Sequence, residues 1–183
     1  MYQFRKGTEL LNLCQRYELN IDEIILRCEM EESGQSREQI WDLMQDNLKV
    51  MQDSISKGLD PDLKSVGGLV GGNASKVQSY IQKDNLCGKT ILKAIAYALA
   101  VSECNAAMGK IVAAPTAGAS GILPGILVAL AEEKGYSQEK LVKSLFVAAA
   151  IGKIIAANAT LSGAEGGCQA ECGSASSMAA AAA

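Results

Sequence analysis

The residues best suited to chemistry lie in Ser162-Gly163-Ala164-Glu165-Gly166-Gly167-Cys168-Gln169-Ala170-Glu171-Cys172-Gly173. Glycine at 163, 166, 167 and 173 surrounds thiols at 168 and 172 and carboxylates at 165 and 171. Glycine lets backbone approach a ligand closely and supplies positive φ where the chain must turn. A stretch this rich in it does not form to bury a core. The alanine-rich run Ser174 to Ala183 reads as a helix. A thiol just ahead of a helix N-terminus has its thiolate form favoured. Cys168 and Cys172 would share a face if the helix extended over them. The chemistry of such a pair is joint ligation of a soft metal centre, which two cysteines do not complete alone.

A second stretch, Ala114 to Gly125, reads APTAGASGILPG. The hydroxyls of Thr116 and Ser120 and the amides of Gly118 and Gly121 precede an apolar helix starting at Ile122. Backbone N–H groups at such a start suit an anion, here a carboxylate; the alternative is a tight packing turn between two buried helices. Gly67, Gly68, Gly71 and Gly72 mark either a functional loop or a linker. Lys110 and Lys153 interrupt apolar surroundings. Either is a candidate general base if burial lowers its pKa, and either is equally a lysine whose head reaches water. Glu171 reads as an outer acceptor or a helix-start carboxylate, and Asn105 and Asn158 as polar breaks in buried helices.

The chain has no histidine, which excludes a Ser-His triad, a Cys-His dyad and histidine-ligated zinc within it. Acid–base work must use lysine, carboxylates, hydroxyls, a metal or another chain. A formal charge of −3 argues against a nucleic-acid partner. No basic run followed by an apolar stretch opens the chain, so no secretory signal is evident and a cytoplasmic location is expected. Cys14, Cys28, Cys87 and Cys104 sit in ordinary contexts and read as small buried hydrophobes.

The elements that must position these groups are helices. Thr8 is expected to cap a short first helix. Asn20 with Glu23 resembles a capping box, and Ser36 with Gln39 reads as another helix start. Ile40, Met44, Leu48, Met51 and Ile55 form a stripe at helical spacing that Gly58 ends. Helices are expected over 73–82, 90–108, 122–133 and 138–158, the 90–108 helix being apolar nearly all round and hence central. Strand alternation is absent. The fold class is therefore all-α: a bundle-like domain with glycine-rich loops at its active end. It divides into an N-terminal helical lobe, 1–60, and a second helical part, 61–183, which the resemblance described below implies is the N-terminal part of a catalytic helical domain. Ile111 to Ala131 is long enough to cross a bilayer, but it carries Pro115, Pro124 and glycines at 118, 121 and 125. Leu145 to Leu161 is interrupted by Lys153 and Asn158, so no membrane span is expected.

Four strings together resemble a known family. Gly167-Cys168-Gln169-Ala170-Glu171 with its preceding Gly166, and Ala114 to Gly125, are similar to the signatures of the catalytic (alpha) chain of bacterial iron–sulfur L-serine dehydratases. Gly68-Leu69-Val70-Gly71-Gly72-Asn73-Ala74 and Asn105-Ala106-Ala107-Met108-Gly109-Lys110-Ile111 match in the same order. The resemblance implies deamination of L-serine to pyruvate and ammonia, with a [4Fe–4S] cluster as Lewis acid and Cys168 as one thiolate ligand. It also implies that Cys172 is packing and that a beta chain or fused beta domain supplies histidines. Oligomerisation is expected, and a hydroxy-amino acid such as threonine stays open as substrate. The family's other cluster cysteines lie beyond Ala183, so the chain is expected to be a C-terminally truncated piece that holds no stable cluster and is inactive by itself. The contrasting possibility is a metal-free helical interaction module.

Overall fold

A computed structural model describes all residues, Met1–Ala183. The chain folds into helices without a strand: α1 Gly7–Tyr17, α2 Ile21–Ser33, α3 Arg37–Gly58, α4 Asn73–Tyr80, α5 Lys89–Ala106, α6 Ile122–Lys134, α7 Gln138–Asn158, α8 Gly163–Gly166 and α9 Cys168–Ala182. The all-α expectation holds, and the long helices start where their caps stand. Ser36 accepts from the Gln39 amide at 3.3 Å while the Gln39 side chain accepts from the Ser36 amide at 2.9 Å, a reciprocal capping box. Ser137 accepts from the Lys140 amide at 3.2 Å.

Other starts differ from expectation. Thr8 lies inside α1; the carboxylate of Glu9 closes that end, accepting from the amides of Arg5 and Lys6 at 2.7 and 3.2 Å. Glu23 does not reach back to Asn20. It pairs instead with Arg27 and Arg37, each at 2.8 Å. The last helix begins at Cys168, ahead of the expected Ser174, because Gly167 takes φ 71° and turns the chain directly into it.

The main core draws Ile24 and Leu26 from α2, Leu48 from α3, Leu123 and Leu127 from α6, Val142 and Phe146 from α7, and Met178 from α9. Residues before and after 60 thus share one apolar interior, in which α7 touches α2, α3 and α9. A smaller cluster joins Ile55 of α3, Tyr97 and Val101 of α5, and Val128 of α6. Helix α7 is long and apolar enough, by length and composition, to cross a membrane. Here its apolar residues Leu141, Val142, Leu145 and Phe146 are core.

Helix α5 is not buried all round. Ala96, Ala100 and Val101 face inward, but Ile91 and Ile95 stay exposed along a groove of about 420 Å³ between α5 and α6. Its inner contacts are close because the facing residues are small. A Cβ on Gly58 would lie 1.8 Å from the Ala100 carbonyl oxygen, and one on Gly121 would lie 2.3 Å from that of Ala98. Gly58→Ala is therefore expected to force α3 away from α5 and cost about 3 kcal/mol. The check is a lower urea midpoint at unchanged m-value.

Candidate functional site

The glycine-rich loops converge at one end of the bundle, where α4, α6 and α9 begin and α5 and α7 finish. The anchor is a buried carboxylate that sequence reading passed over. Glu103, 3% exposed, accepts from the amides of Gly72, Asn73 and Ala74 at 3.0, 2.7 and 3.4 Å. It fills the donor-rich start of α4, whose N-cap Gly72 (φ 82°) has no side chain to offer. The available signal was a lone acidic residue in an otherwise apolar helix, which must find donors if buried.

Next to it, the Ala117 carbonyl pins the second loop. It accepts from Asn105 Nδ2 at 3.3 Å and from Ser120 Oγ at 2.7 Å. One of the expected carboxylate binders is thereby given other work: Ser120 is 1% exposed with its hydroxyl committed to Ala117. Gly121 is the close-contact point against α5, with its amide left without a backbone acceptor. Thr116 and Gly118 differ. The Thr116 hydroxyl oxygen is buried without a hydrogen-bond partner, and Gly118 faces the Glu171 carboxylate of α9. The start of α6 has no side-chain cap, but the Ile122 amide donates to the Ala119 carbonyl at 3.2 Å and Pro124 has no N–H, so little of that end is open to an anion.

Cys168 occupies the first position of α9 and is exposed, with a sulfur 3.5 Å from that of the half-buried Cys172. Its contact with Cys168, then burial, pushes the Cys172 thiol up. A single tetrahedral metal ion would hold two thiolates roughly 3.8 Å apart, so one ion could bridge this pair. No group of three or more cysteine or acidic side chains is gathered for a metal ion anywhere in the chain. Before Cys168, Ser162 caps the short α8, and Thr160 donates to Glu165 at 2.6 Å. Cys28 and Cys104 are buried, with burial raising each thiol. Cys14 is half-buried, and Cys87 departs from the buried expectation by being exposed.

The two lysines stand differently. Lys110 is exposed, on the segment leading from α5 to the Thr116 loop. Lys153 pairs with Glu32 of α2 and lies over the Phe4 ring. Burial acts to lower its pKa, but the hydrogen bond to Glu32 and the neighbouring Cys28 outweigh that and hold it above the ordinary lysine value. A general base needs the opposite shift. Asn158 likewise serves the backbone, donating to the Arg5 and Ile154 carbonyls at 2.6 and 2.7 Å.

The Lys153–Glu32 pair has a definite pH signature. The hydrogen bond from Lys153 holds the Glu32 carboxyl below its ordinary value. That contribution is present above the unfolded carboxyl pKa and fades as pH falls through the folded one. The Lys153 contribution is present below the ordinary lysine pKa and fades as pH rises through its raised value. Lys153→Met is expected to cost about 1 kcal/mol in melts near neutral pH, since the pair is partly solvent-screened.

Comparison with known proteins decides the family. The model of the serine dehydratase alpha chain family matches residues 16–183. The chain belongs to this family. A probable L-serine dehydratase alpha chain of Bacillus subtilis (strain 168) is 44% identical over 180 residues, covering 98% of this chain and 60% of that protein. The L-serine dehydratase alpha chain of Peptoniphilus asaccharolyticus is 39% identical over 175 residues, with 95% and 60% covered. L-serine dehydratase TdcG of Escherichia coli (strain K12) is 38% identical over 193 residues, covering 98% of this chain and 40% of that protein. The chain thus spans about 60% of the length of the alpha chains it matches. The stretches Ala114–Gly125 and Gly166–Glu171 meet through Gly118 and Glu171.

Proposed function

We propose that this chain forms part of the catalytic chain of a cytoplasmic iron–sulfur L-serine dehydratase, a lyase that converts L-serine to pyruvate and ammonia. The observation that carries the reading is the exposed Cys168 thiol at the start of α9, at the same end as the orphaned Thr116 hydroxyl. A helical module that only docks a partner leaves both unexplained.

The donor set fits a [4Fe–4S] cluster in part. Cys168 is an exposed thiol at the first position of α9, and a thiol is the ligand type such clusters take. No group of three or more cysteine or acidic side chains gathers around Cys168, so it would be one ligand among several. When bound, such a cluster with an iron open to substrate supplies a Lewis acid for the departing hydroxyl. The chain's own residues hold the substrate and shape the pocket. Thr116 donates its unspent hydroxyl to the serine carboxylate. Glu103 and the Ala117 carbonyl keep the loops in register around that point. Hydroxide is a poor leaving group and the α-proton of serine is weakly acidic, so a base is also required. Lys110 is the candidate within this chain. A histidine of a beta chain or fused beta domain is the other source, and oligomerisation would bring it in.

The test is product release by the full-length protein, purified with its beta part under nitrogen. L-Serine should yield pyruvate, and L-threonine, offered separately, should yield the corresponding 2-oxo acid more slowly. Release of neither product contradicts the reading.

A further inference from the structure

We propose that Cys168 and Cys172 form an oxidation site: with no metal bound between them, they close into a reversible disulfide across the first turn of α9. The two sulfurs stand 3.5 Å apart, and no other two of the six cysteines are in contact. Cys168 is exposed and Cys172 half-buried, so a small oxidant reaches the pair from solvent. Cys87 is also exposed but has no second thiol beside it. No third cysteine or acidic side chain gathers with the pair, so a metal site complete within these residues does not account for the contact.

A small local movement brings the bond within reach. A disulfide needs these sulfurs about 1.5 Å closer and its Cβ atoms roughly 3.5–4.5 Å apart, whereas residues four apart on a helix hold theirs about 5–6 Å apart. A rigid helix would resist closure, but the start of α9 is not rigid. Cys168 is its first residue, and the amides of a first turn have no partners inside the helix. Swinging Cys168 out of that turn gives up little more than the bond its carbonyl accepts. A side chain on Gly167, before it, or on Gly173, just after Cys172, would meet open space. Gly173 lies inside the helix with neither a positive φ nor a close neighbour that requires glycine. Glycine at such a position weakens a helix relative to alanine, which leaves the turn that carries both thiols soft.

The chemistry is thiol–disulfide exchange with a small disulfide such as oxidised glutathione. The Cys168 sulfur attacks one glutathione sulfur, the glutathione S–S bond breaks and one glutathione leaves. The Cys172 sulfur then attacks the Cys168 sulfur, the mixed disulfide breaks and the second glutathione leaves. The protein thiols give up two electrons and two protons, and both glutathiones depart as thiols. Disulfides of this kind in reducing compartments are transient and redox-sensing. Once closed, the pair offers no thiolate to a metal, so loading waits on reduction. The disulfide needs nothing from the dehydratase reading; only its effect on cluster assembly rests on it.

The test treats the full-length protein with its beta part, stripped of metal by a chelator under nitrogen, with oxidised glutathione in native buffer, followed by alkylation and peptide mass analysis. The peptide carrying Cys168 and Cys172 should be lighter by two hydrogens, free of alkyl label and of glutathione, and should recover both thiols in dithiothreitol. In Cys172→Ala, Cys168 should hold at least about tenfold more glutathione than in the wild type, because no second thiol expels it. Cys172→Ser gives the same reading should the alanine variant misfold. Two alkylated thiols in the wild type, glutathione persisting on its Cys168, or a bond from Cys168 to a different cysteine overturns the proposal. So does a closed form whose circular dichroism shows helix lost well beyond the first turn of α9, since the pair would then be closing in an unfolded chain. The closed form should take up no iron until reduced, and uptake without reduction overturns the effect on loading. If the pair closes yet the reduced protein takes up no iron either, the cluster reading fails and the disulfide stands.

Discussion

Cys168→Ser in the full-length protein is expected to remove bound iron and sulfide and to lower serine turnover at least about a thousandfold. Cys172→Ala should leave both within about twofold. The contrast follows from position. Cys168 is exposed at the first residue of α9, preceded by a glycine at φ 71° that lets a ligand approach. Serine keeps the size but has no thiolate to offer, and the helix-start environment cannot restore one. Cys172 is half-buried, one turn further on, and its thiol is pushed up by its contact with Cys168 and by burial. Iron and sulfide analysis with a pyruvate assay reads both variants. Loss of iron from Cys172→Ala would show that the 3.5 Å sulfur pair binds as a unit.

Glu103→Ala should be the most destabilising polar substitution in the chain. It leaves three amides at the buried start of α4 without an acceptor and opens a hole beneath them. Unpaired buried donors and a lost helix cap together cost about 3 kcal/mol, which lowers the melting temperature by about 6–12 °C in a domain of this size. Glu103→Gln retains one acceptor oxygen and should lose roughly half as much. Circular dichroism melts check both. The loop Gly67–Gly72 should become protease-sensitive in the Ala variant, because only Glu103 ties its end to α5 by side-chain hydrogen bonds. A melt unchanged in Glu103→Ala would mean that the loop is held by other means.

The fold was legible where burial is periodic. Ile40, Leu48, Met51 and Ile55 line the inner face of α3, at the spacing that predicts them. Ser36 and Ser137 start their helices as capping chemistry requires. What escaped was non-local. Nothing in local pattern pairs Gly118 with Glu171, or Glu103 with Gly72, because those partners are chosen by how helices pack. Ser120 and Gly121 show the same limit from the other side. A hydroxyl beside a glycine before a helix reads as an anion site, yet the Ser120 hydroxyl is spent on the Ala117 carbonyl of its own loop and Gly121 lets α6 approach Ala98. Lys153 in an apolar helix reads as a candidate base until α2 brings Glu32 against it. Cys168 stands out in sequence alone, since a thiol set among glycines has no packing use.

The most direct measurement is the iron and sulfide content of the full-length protein, reconstituted under nitrogen with its beta part, beside the 183-residue chain treated identically. About four irons and four sulfides per full-length chain, with little in the shorter one, is the result expected of a [4Fe–4S] site to which Cys168 contributes one ligand among several. A full-length protein that takes up no iron would contradict the cluster assignment. A stable four-iron centre in the shorter chain would show that its own cysteines complete the site, and that the ligand role drawn for Cys168 alone is wrong.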